Sequence, residues 1–152
     1  MYLLDTCICV EFLRGRLSTG YQMMRQSPVG LFKIPVMTVG ELLLGAEKAP
    51  AEWQLLERRS VEVFLETFDI VPFDEKCARA YSRIRADLEA RGCRIGEIDM
   101  EIAATALANQ AVLVTNNVKE FSRVPGLSFE SWHDISDNWQ EVSSAKDDGS
   151  QG

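Results

Sequence analysis

The sequence predicts an α/β fold built around a mostly parallel β-sheet of about five strands. Short apolar segments of strand length alternate along the chain with longer segments that have helical periodicity. The chain has 152 residues, of which 46% are hydrophobic, and these values suit one domain with a full core. Alternation of this kind is typical of α/β proteins with a parallel sheet.

Five segments are predicted to be strands, because each is short and apolar and is bounded by turn residues. They cover residues 2–4, 31–35, 69–73, 111–115 and 127–132. Helical patterns follow at residues 7–13, 18–27, 38–48, 51–67, 75–90, 99–108 and 119–123. The helix over 51–67 is expected to bury Trp53, Leu56, Phe64 and Phe68.

Capping residues mark where several of these helices begin or end. Thr38 and Glu41 have the spacing of a capping box, in which a hydroxyl and a carboxylate three residues later satisfy free backbone amides. Asp74 and Asp99 are predicted N-caps of the helices that follow them. Gly92 has the position of a glycine that ends a helix.

The net charge of −7 is distributed unevenly along the chain. Residues 134–152 contain five acids and one base, and we expect them to form an acidic, disordered tail outside a domain spanning 1–133. The domain itself carries −3, so three carboxylates around a cation would leave its body close to neutral. Local basic patches could then bind an anionic polymer.

Cysteine and histidine contents narrow the chemistry and the compartment. The four cysteines, Cys7, Cys9, Cys77 and Cys93, lack zinc-site spacing and are predicted to be reduced core side chains. His133 is the only histidine, which argues against Ser-His-Asp or Cys-His catalysis. No apolar run reaches membrane-spanning length and no secretory signal is apparent, so a cytoplasmic location is expected.

Polar residues recur where predicted strands end or the next helix starts. Asp5, Glu41, Asp99 and Asn117 all occupy such positions. Right-handed crossovers bring the carboxyl ends of parallel strands to one edge, where α/β proteins bind ligands. Each residue alone could be explained by helix capping. Four at equivalent positions, three of them acids, favour a shared site.

Clustered carboxylates repel one another unless they are protonated or bridged by a cation. Oxygen ligands favour a hard cation, Mg²⁺ or Mn²⁺, which can activate a bound water and stabilise charge on a phosphoryl group. The sequence therefore favours phosphodiester hydrolysis. Thr6, Thr115 and Asn116 are candidates to hold ligands or to contact the scissile phosphate.

Several segments together resemble the PIN-domain ribonucleases, specifically the VapC toxins of bacterial VapBC toxin–antitoxin pairs. The matching segments are residues 3–6, 38–48, 95–99, 102–104, 113–117, 120–121 and 124–127. They occur in family order and cover roughly 1–132. The resemblance implies a PIN-like three-layer α/β/α fold.

The resemblance also implies roles for the acids. Asp5 and Asp99 would be the main metal ligands, and Glu41 would bind a ligand water or act as a base. The fourth acidic position of many relatives falls at Asn117, which is neutral, with Glu120 as a candidate to compensate. Glu97 stands where many relatives have proline, and it is expected to face solvent.

A substrate and partners follow from the same resemblance. It implies an endoribonuclease that cuts structured RNA, often tRNA, with Mg²⁺ or Mn²⁺. It further implies a homodimer and a small VapB-like antitoxin whose C-terminal segment enters the active-site groove, giving a toxin–antitoxin hetero-oligomer. Candidates for RNA phosphate contacts are Arg14, Arg16, Arg91, Arg94, Lys119 and Arg123.

Other classes of protein remain open. A receiver-like domain would need a second acid beside the strand-end aspartate, where Thr6 and Cys7 follow Asp5. A dehalogenase-type phosphatase would need aspartate at the position of Cys7. A catalytically inactive PIN-like RNA-binding module is the third alternative, and the intact acid triad argues against it.

Overall fold

A five-stranded sheet forms the centre of the fold in the computed structural model, which describes residues 1–16 and 18–132. The strands are β1 Tyr2–Leu4, β2 Phe32–Pro35, β3 Asp69–Val71, β4 Val112–Val114 and β5 Phe129–Glu130. Their order is β3-β2-β1-β4-β5, and every pair is parallel. The predicted parallel sheet of about five strands is therefore confirmed.

Helices connect each strand to the next. They are α1 Thr6–Leu13, α2 Ser18–Gln26, α3 Val36–Glu47, α4 Gln54–Leu65, α5 Glu75–Ala90, α6 Glu97–Ala108 and α7 Val118–Phe121. Because β1 lies at the centre of the strand order, the chain winds outward from it twice, first through α1–α4 and β2–β3, then through α5–α7 and β4–β5. The residues that follow β1 and β4 are consequently neighbours at the carboxyl edge.

Two hydrophobic cores lie on opposite faces of the sheet. Leu3 and Leu113 point into a core shared with α5 and α6, whereas Leu4 and Val114 point into a core shared with α1, α3 and α4. All four side chains are fully buried. This alternation along neighbouring strands is what a sheet covered on both faces requires, and it confirms the three-layer α/β/α arrangement.

The boundaries of α5 agree with its predicted caps. The Cys77 N–H donates to Asp74 Oδ1 at 3.1 Å. At the other end Gly92 has φ +65°, and the N–H groups of Gly92 and Cys93 donate to the carbonyls of Glu89 and Leu88. This is the Schellman arrangement, and it requires a residue that tolerates the left-handed region.

Two predicted helix starts are wrong. Helix α3 begins at Val36 directly after Pro35, so Thr38 lies inside the helix and forms no capping box with Glu41. Helix α6 begins at Glu97 with Gly96 as its N-cap, which places Asp99 in the first turn. In both cases the N-cap lies three residues earlier than the capping pattern indicated, and the Thr38 and Asp99 side chains have tertiary partners instead.

The predicted buried face of α4 is also partly wrong. Trp53 is 52% and Leu56 is 57% exposed, while Phe64 and Phe68 are half-buried. Val61 is the buried residue of this helix. Since α4 packs mainly against α3 and lies at the periphery of the second core, much of its apolar surface faces outward.

All four cysteines are free thiols, with Cys9 and Cys77 buried as predicted and Cys7 and Cys93 only partly buried. Among the described residues, no helix is long and apolar enough to cross a membrane. His133 and the predicted tail over 134–152 lie outside the described residues.

Candidate active site at the carboxyl edge of the sheet

Asp5 links the end of β1 to both α1 and β4. Its Oδ1 accepts a hydrogen bond from the Thr6 N–H at 2.7 Å, so it is the N-cap of α1. Its Oδ2 accepts from the Thr115 hydroxyl at 2.6 Å. Only 4% of Asp5 is exposed, and Thr115 is fully buried. One carboxylate therefore both caps a helix and lies at the shared edge, so the two interpretations of Asp5 are compatible.

Glu41 is held in place by a hydroxyl from α1. The Thr6 side chain donates to Glu41 Oε1 at 2.6 Å and lies 3.2 Å from the hydroxyl of Thr38. Thr38 is fully buried, one turn of α3 before Glu41. The residue predicted to cap α3 thus lies beside Thr6 and supports the Glu41 contact. Thr6 thus connects the two acids, because its backbone N–H donates to Asp5 and its hydroxyl donates to Glu41.

Asp99 reaches the same site from the first turn of α6. The Asn117 side-chain amide donates to Asp99 Oδ2 at 3.4 Å. Burial raises the pKa of Asp99 to about 7, and a hydrogen bond to Glu120 and the negative charges of Asp5, Glu120 and Glu41 act in the same direction. The structure therefore brings the predicted acids close enough for their negative charges to oppose the ionisation of Asp99.

Glu120 joins the site from α7. The hydrogen bond from Asp99 lowers the pKa of Glu120, and hydrogen bonds from the Asn117 side chain and the Gly96 N–H lower it further. When Asp99 is protonated, its carboxyl group is therefore the donor and Glu120 the acceptor of this hydrogen bond. Asn117 is neutral, but its side chain donates a hydrogen bond to the carboxylate of Glu120, three residues later.

The end of β4 contributes backbone geometry as well as side chains. The Thr115 hydroxyl accepts from the Asn117 N–H at 3.0 Å while it donates to Asp5. The Asn116 side chain turns the other way, and its Oδ1 accepts from the Ser131 hydroxyl at 3.2 Å. Thr115 is thus a part of the acid cluster, whereas Asn116 contacts it only through its backbone.

Cys7 is a member of the site that the sequence reasoning assigned to the core. Its thiol donates to Asp5 Oδ2 at 3.3 Å and lies 3.7 Å from the Thr115 hydroxyl. Burial, followed by the charge of Asp5, raises the pKa of Cys7 to about 11. The thiol therefore stays protonated and acts as a donor. Its position two residues after Asp5, within the same helical turn, is the signal that could have identified it.

Glu97 is exposed, as expected, and does not point at the acids. The Tyr81 hydroxyl donates to Glu97 Oε1 at 3.1 Å, and Arg85 lies 3.3 Å from the same oxygen. Its contacts join the start of α6 to α5.

Three of the candidate arginines form a linked group beside the acid cluster. Arg91 donates to the Arg123 carbonyl at 2.6 Å, and Arg123 donates to the Arg94 carbonyl at 2.8 Å. Lys119 is exposed on α7, next to Glu120. These side chains lie where the loop before α6 meets the end of α7, at the rim of the site.

Arg14 and Arg16 lie elsewhere. Helix α1 runs away from the carboxyl edge, so Arg14 follows Asp5 by nine residues, or about 13 Å of helix axis. Arg16 is within 3.4 Å of Glu11. The structure does not bring these two residues to the acid cluster, and their contact with RNA stays a prediction.

The donor set is compatible with a hard divalent cation held through few direct protein ligands. Asp5 and Asp99 offer carboxylate oxygens at an edge where burial and the neighbouring negative charges raise the pKa of Asp99. In the part of the chain that the structure describes, no group of three or more His, Cys, Asp or Glu is close enough to hold an ion directly. Two direct carboxylates with the remaining acids acting through water fit the preference of Mg²⁺ for retained waters.

A parallel α/β sheet with a carboxylate cluster at its carboxyl edge thus defines the class of protein. The family model that matches the chain is described as the PIN domain and covers residues 2–127. The chain therefore belongs to the PIN-domain family.

Similar proteins narrow the class further. The chain is 35% identical to a Rickettsia felis protein named ribonuclease VapC2, over 87% of this chain and 98% of that protein. It is 33% identical to the tRNA(fMet)-specific endonuclease VapC of Shigella flexneri, over 86% and 97% of the two chains.

Solved structures agree with this assignment. The promoter-DNA-bound VapBC2 complex of Rickettsia felis matches with a TM-score of 0.79 and 33% identity, over 86% of this chain and 98% of the other. The DNA-bound VapBC of Salmonella typhimurium matches with a TM-score of 0.80 and 30% identity, over 86% and 97%. The resemblance to VapC-type PIN domains is confirmed.

Proposed function

We propose that this protein is a toxic endoribonuclease that cleaves RNA by hydrolysis with Mg²⁺ or Mn²⁺ and is neutralised by a cognate antitoxin. The observation that carries the proposal is a connected set of contacts at one edge of the sheet. It runs from Glu41 through Thr6 to Asp5, then through Thr115 and Asn117 to Asp99. The family membership and the ribonuclease names of the relatives support the activity.

Asp5 and Asp99 are the proposed metal ligands, because they face the same site from β1 and α6. A bound Mg²⁺ or Mn²⁺ would supply an acidified water and neutralise charge on the scissile phosphate. Glu41, oriented by Thr6, is the proposed acceptor of a proton from the attacking water. Asn117 and Glu120 hold Asp99 and complete the polar lining.

The proposed substrate is structured RNA, with tRNA as the first class to examine, since a relative is named as a tRNA(fMet)-specific endonuclease. Arg123 lies near Glu120, Lys119 precedes Glu120 on α7, and the Arg94 carbonyl accepts from Arg123, so these three are the proposed phosphate contacts. Arg91, the fourth candidate, is already paired with Asp87. Such contacts position RNA without reading its sequence.

The proposed partner is a VapB-like antitoxin whose C-terminal segment enters the active-site groove. Solved structures of relatives are VapBC complexes, two of them bound to DNA, which supports such a partner. A homodimer that assembles with the antitoxin into a hetero-oligomer is proposed on the same basis. We further infer a cytoplasmic location from the four reduced cysteines.

Incubating the antitoxin-free protein with purified tRNA and with a structured messenger RNA tests the activity. We expect cleavage with Mg²⁺ or Mn²⁺ and none with EDTA, and Asp5→Asn should remove it while preserving the cap of α1. RNA that binds but stays intact with both metals would instead favour the inactive RNA-binding module.

A further inference from the structure

Helix α7 and its N-cap carry two side chains of the acid cluster, but the helix is too short to be stable by itself. It spans Val118–Phe121, with Asn117 as its N-cap and Glu120 in its single turn. A helix of one turn does not persist in water, so contacts with other elements must fix its position. Phe121 is fully buried and anchors the side of α7 that faces the core.

An arginine at the end of α5 binds the backbone just after α7. Arg91 is the C-cap of α5, and its Nη2 donates to the Arg123 carbonyl at 2.6 Å. In the opposite direction, the Arg123 side chain donates to the Arg94 carbonyl at 2.8 Å, in the loop between α5 and α6. These two hydrogen bonds join the same two segments, so they hold the end of α7 against the loop that leads into α6.

Asp87 fixes the direction of the Arg91 side chain. Its Oδ2 accepts from Arg91 Nε at 2.9 Å and from Arg91 Nη2 at 2.5 Å, from one turn earlier on α5. The side chains of Arg91 and Asp87 are 44% and 40% exposed, and an ion pair so exposed contributes little to stability by itself. Its consequence is geometric, because a planar guanidinium held at Nε and Nη2 is oriented before it meets the Arg123 carbonyl.

The segments joined by these contacts are the ones that bring Glu120 to Asp99. Hydrogen bonds from Asp99 and from the Gly96 N–H both reach Glu120. Gly96 lies two residues after Arg94, and a Cβ placed on it would be 3.4 Å from Asp99 Oδ2. The loop and the first turn of α6 are therefore close-packed around the acids. A movement of α7 away from this loop would lengthen both hydrogen bonds to Glu120.

We propose that Arg91 is a positioning residue of the acid cluster, which holds α7 through the Arg123 carbonyl and thereby keeps Glu120 beside Asp99. The inference rests on the proposed nuclease function, since only then does the position of Glu120 affect a rate. The role predicted from the sequence was contact with an RNA phosphate. The two roles place opposite demands on Asp87. A phosphate contact would gain when a competing carboxylate is removed, whereas a positioning residue would lose its orientation.

Cleavage kinetics of the antitoxin-free, full-length chain in Mn²⁺ separate the two roles. Arg91→Gln and Asp87→Asn should each lower kcat by about fivefold and leave KM for RNA unchanged, because both remove one contact that orients the site. For the same reason the double variant should be no slower than either single variant. Arg83→Gln is the matched control, since it removes an exposed cation from the same helix, and its kcat should equal that of the wild type.

A phosphate contact would give a different result. Arg91→Gln would then raise KM at an unchanged kcat and weaken the dependence of binding on salt, and Asp87→Asn would leave KM unchanged or lower it. That result would overturn the proposal. A wild-type kcat in both Arg91→Gln and Asp87→Asn would overturn it as well.

Hydrogen exchange of the same variants, followed by NMR, measures the position of α7 without RNA or metal. The amides of Phe121 and Ser122 donate to the carbonyls of Asn117 and Val118. They should exchange about fivefold faster in Arg91→Gln and Asp87→Asn than in the wild type, and at the wild-type rate in Arg83→Gln. This readout decides whether Arg91 holds α7 even if the wild-type chain does not cleave RNA, so failure of the proposed function stays distinguishable. Unchanged exchange in both variants would contradict the proposal.

Discussion

The Thr6 hydroxyl fixes the direction in which Glu41 points, and this contact can be removed with little change in volume. Thr6→Val eliminates the 2.6 Å hydrogen bond to Glu41 Oε1 but leaves the backbone amide that binds Asp5. We expect cleavage to fall by about 10- to 100-fold, which is typical when a residue that orients a metal-site ligand is lost.

Thr6→Ser restores the hydroxyl and should recover most of the rate, which a purely structural role of the methyl group would not allow. Single-turnover RNA cleavage is the measurement, with the urea midpoint as a check on folding. Full activity of Thr6→Val would show that Glu41 needs no orientation by Thr6.

Asp99 opposes folding whenever it is ionised and no cation is present. Its pKa rises from an ordinary value near 3.8 to about 7 in the folded protein, so the folded state binds the proton more tightly than the unfolded state. Stability is therefore highest below the unfolded pKa and falls as pH rises from about 4 to 7. Asparagine at position 99 cannot ionise, so the Asp99→Asn variant does not lose stability in this way as the pH rises.

Asp99→Asn should therefore match the wild type near pH 4 in EDTA and exceed it by roughly 1–2 kcal/mol at pH 8, with allowance for solvent screening of a partly exposed group. Urea unfolding at both pH values measures the difference. A variant less stable than the wild type at pH 8 would mean that ionised Asp99 is already stabilised without metal.

At the scale of secondary-structure elements, the interior of a helix and the turn that ends a helix place opposite demands on glycine. Gly92 ends α5 at φ +65°, whereas Gly45 lies inside α3 with nothing within 4 Å of a Cβ placed on it. Gly92→Ala should destabilise the protein by about 1 kcal/mol, and Gly45→Ala should stabilise it by about 0.5–1 kcal/mol.

Thermal or urea unfolding of the two variants gives the test, each serving as the control for the other. Equal effects would mean that the left-handed turn after α5 contributes nothing specific to stability.

The sequence predicts a secondary-structure element well when the interactions that define it are between neighbouring residues. Strands β1 and β4 are short apolar runs that end in polar residues, and the Asp74 and Gly92 caps of α5 depend only on neighbouring backbone. The starts of α3 and α6 were misplaced because Thr38 and Asp99 are engaged by residues far away in the chain, namely Thr6 and Asn117.

The predicted buried face of α4 was partly wrong for a different reason. The pattern shows which residues share a face but not whether another element covers that face. Trp53 and Leu56 therefore looked like core residues, although they are more than half exposed. The candidate site was predictable because strand ends in a parallel sheet converge, whereas the part played by Cys7 depended on the exact turn after Asp5.

At the scale of the whole molecule, the acid cluster is formed by residues between Asp5 and Glu120, and the family match ends at residue 127. Residues 137–152 are mostly polar and acidic. Removing them is expected to leave RNA cleavage and dimerisation largely unchanged. Cleavage assays and sedimentation of the truncated chain measure both. A large fall in rate, or a loss of the dimer, would show that the tail supports the site or the subunit contact.

The whole fold positions one site, since β1, α3, α6 and α7 each deliver an acid to it. The most direct test is to measure Mn²⁺ binding by calorimetry and RNA cleavage on the same antitoxin-free preparations of wild type and Asp99→Asn. The account predicts that the variant stays folded, binds Mn²⁺ at least about tenfold more weakly and no longer cleaves RNA. A folded Asp99→Asn that cleaves RNA at the wild-type rate would contradict it.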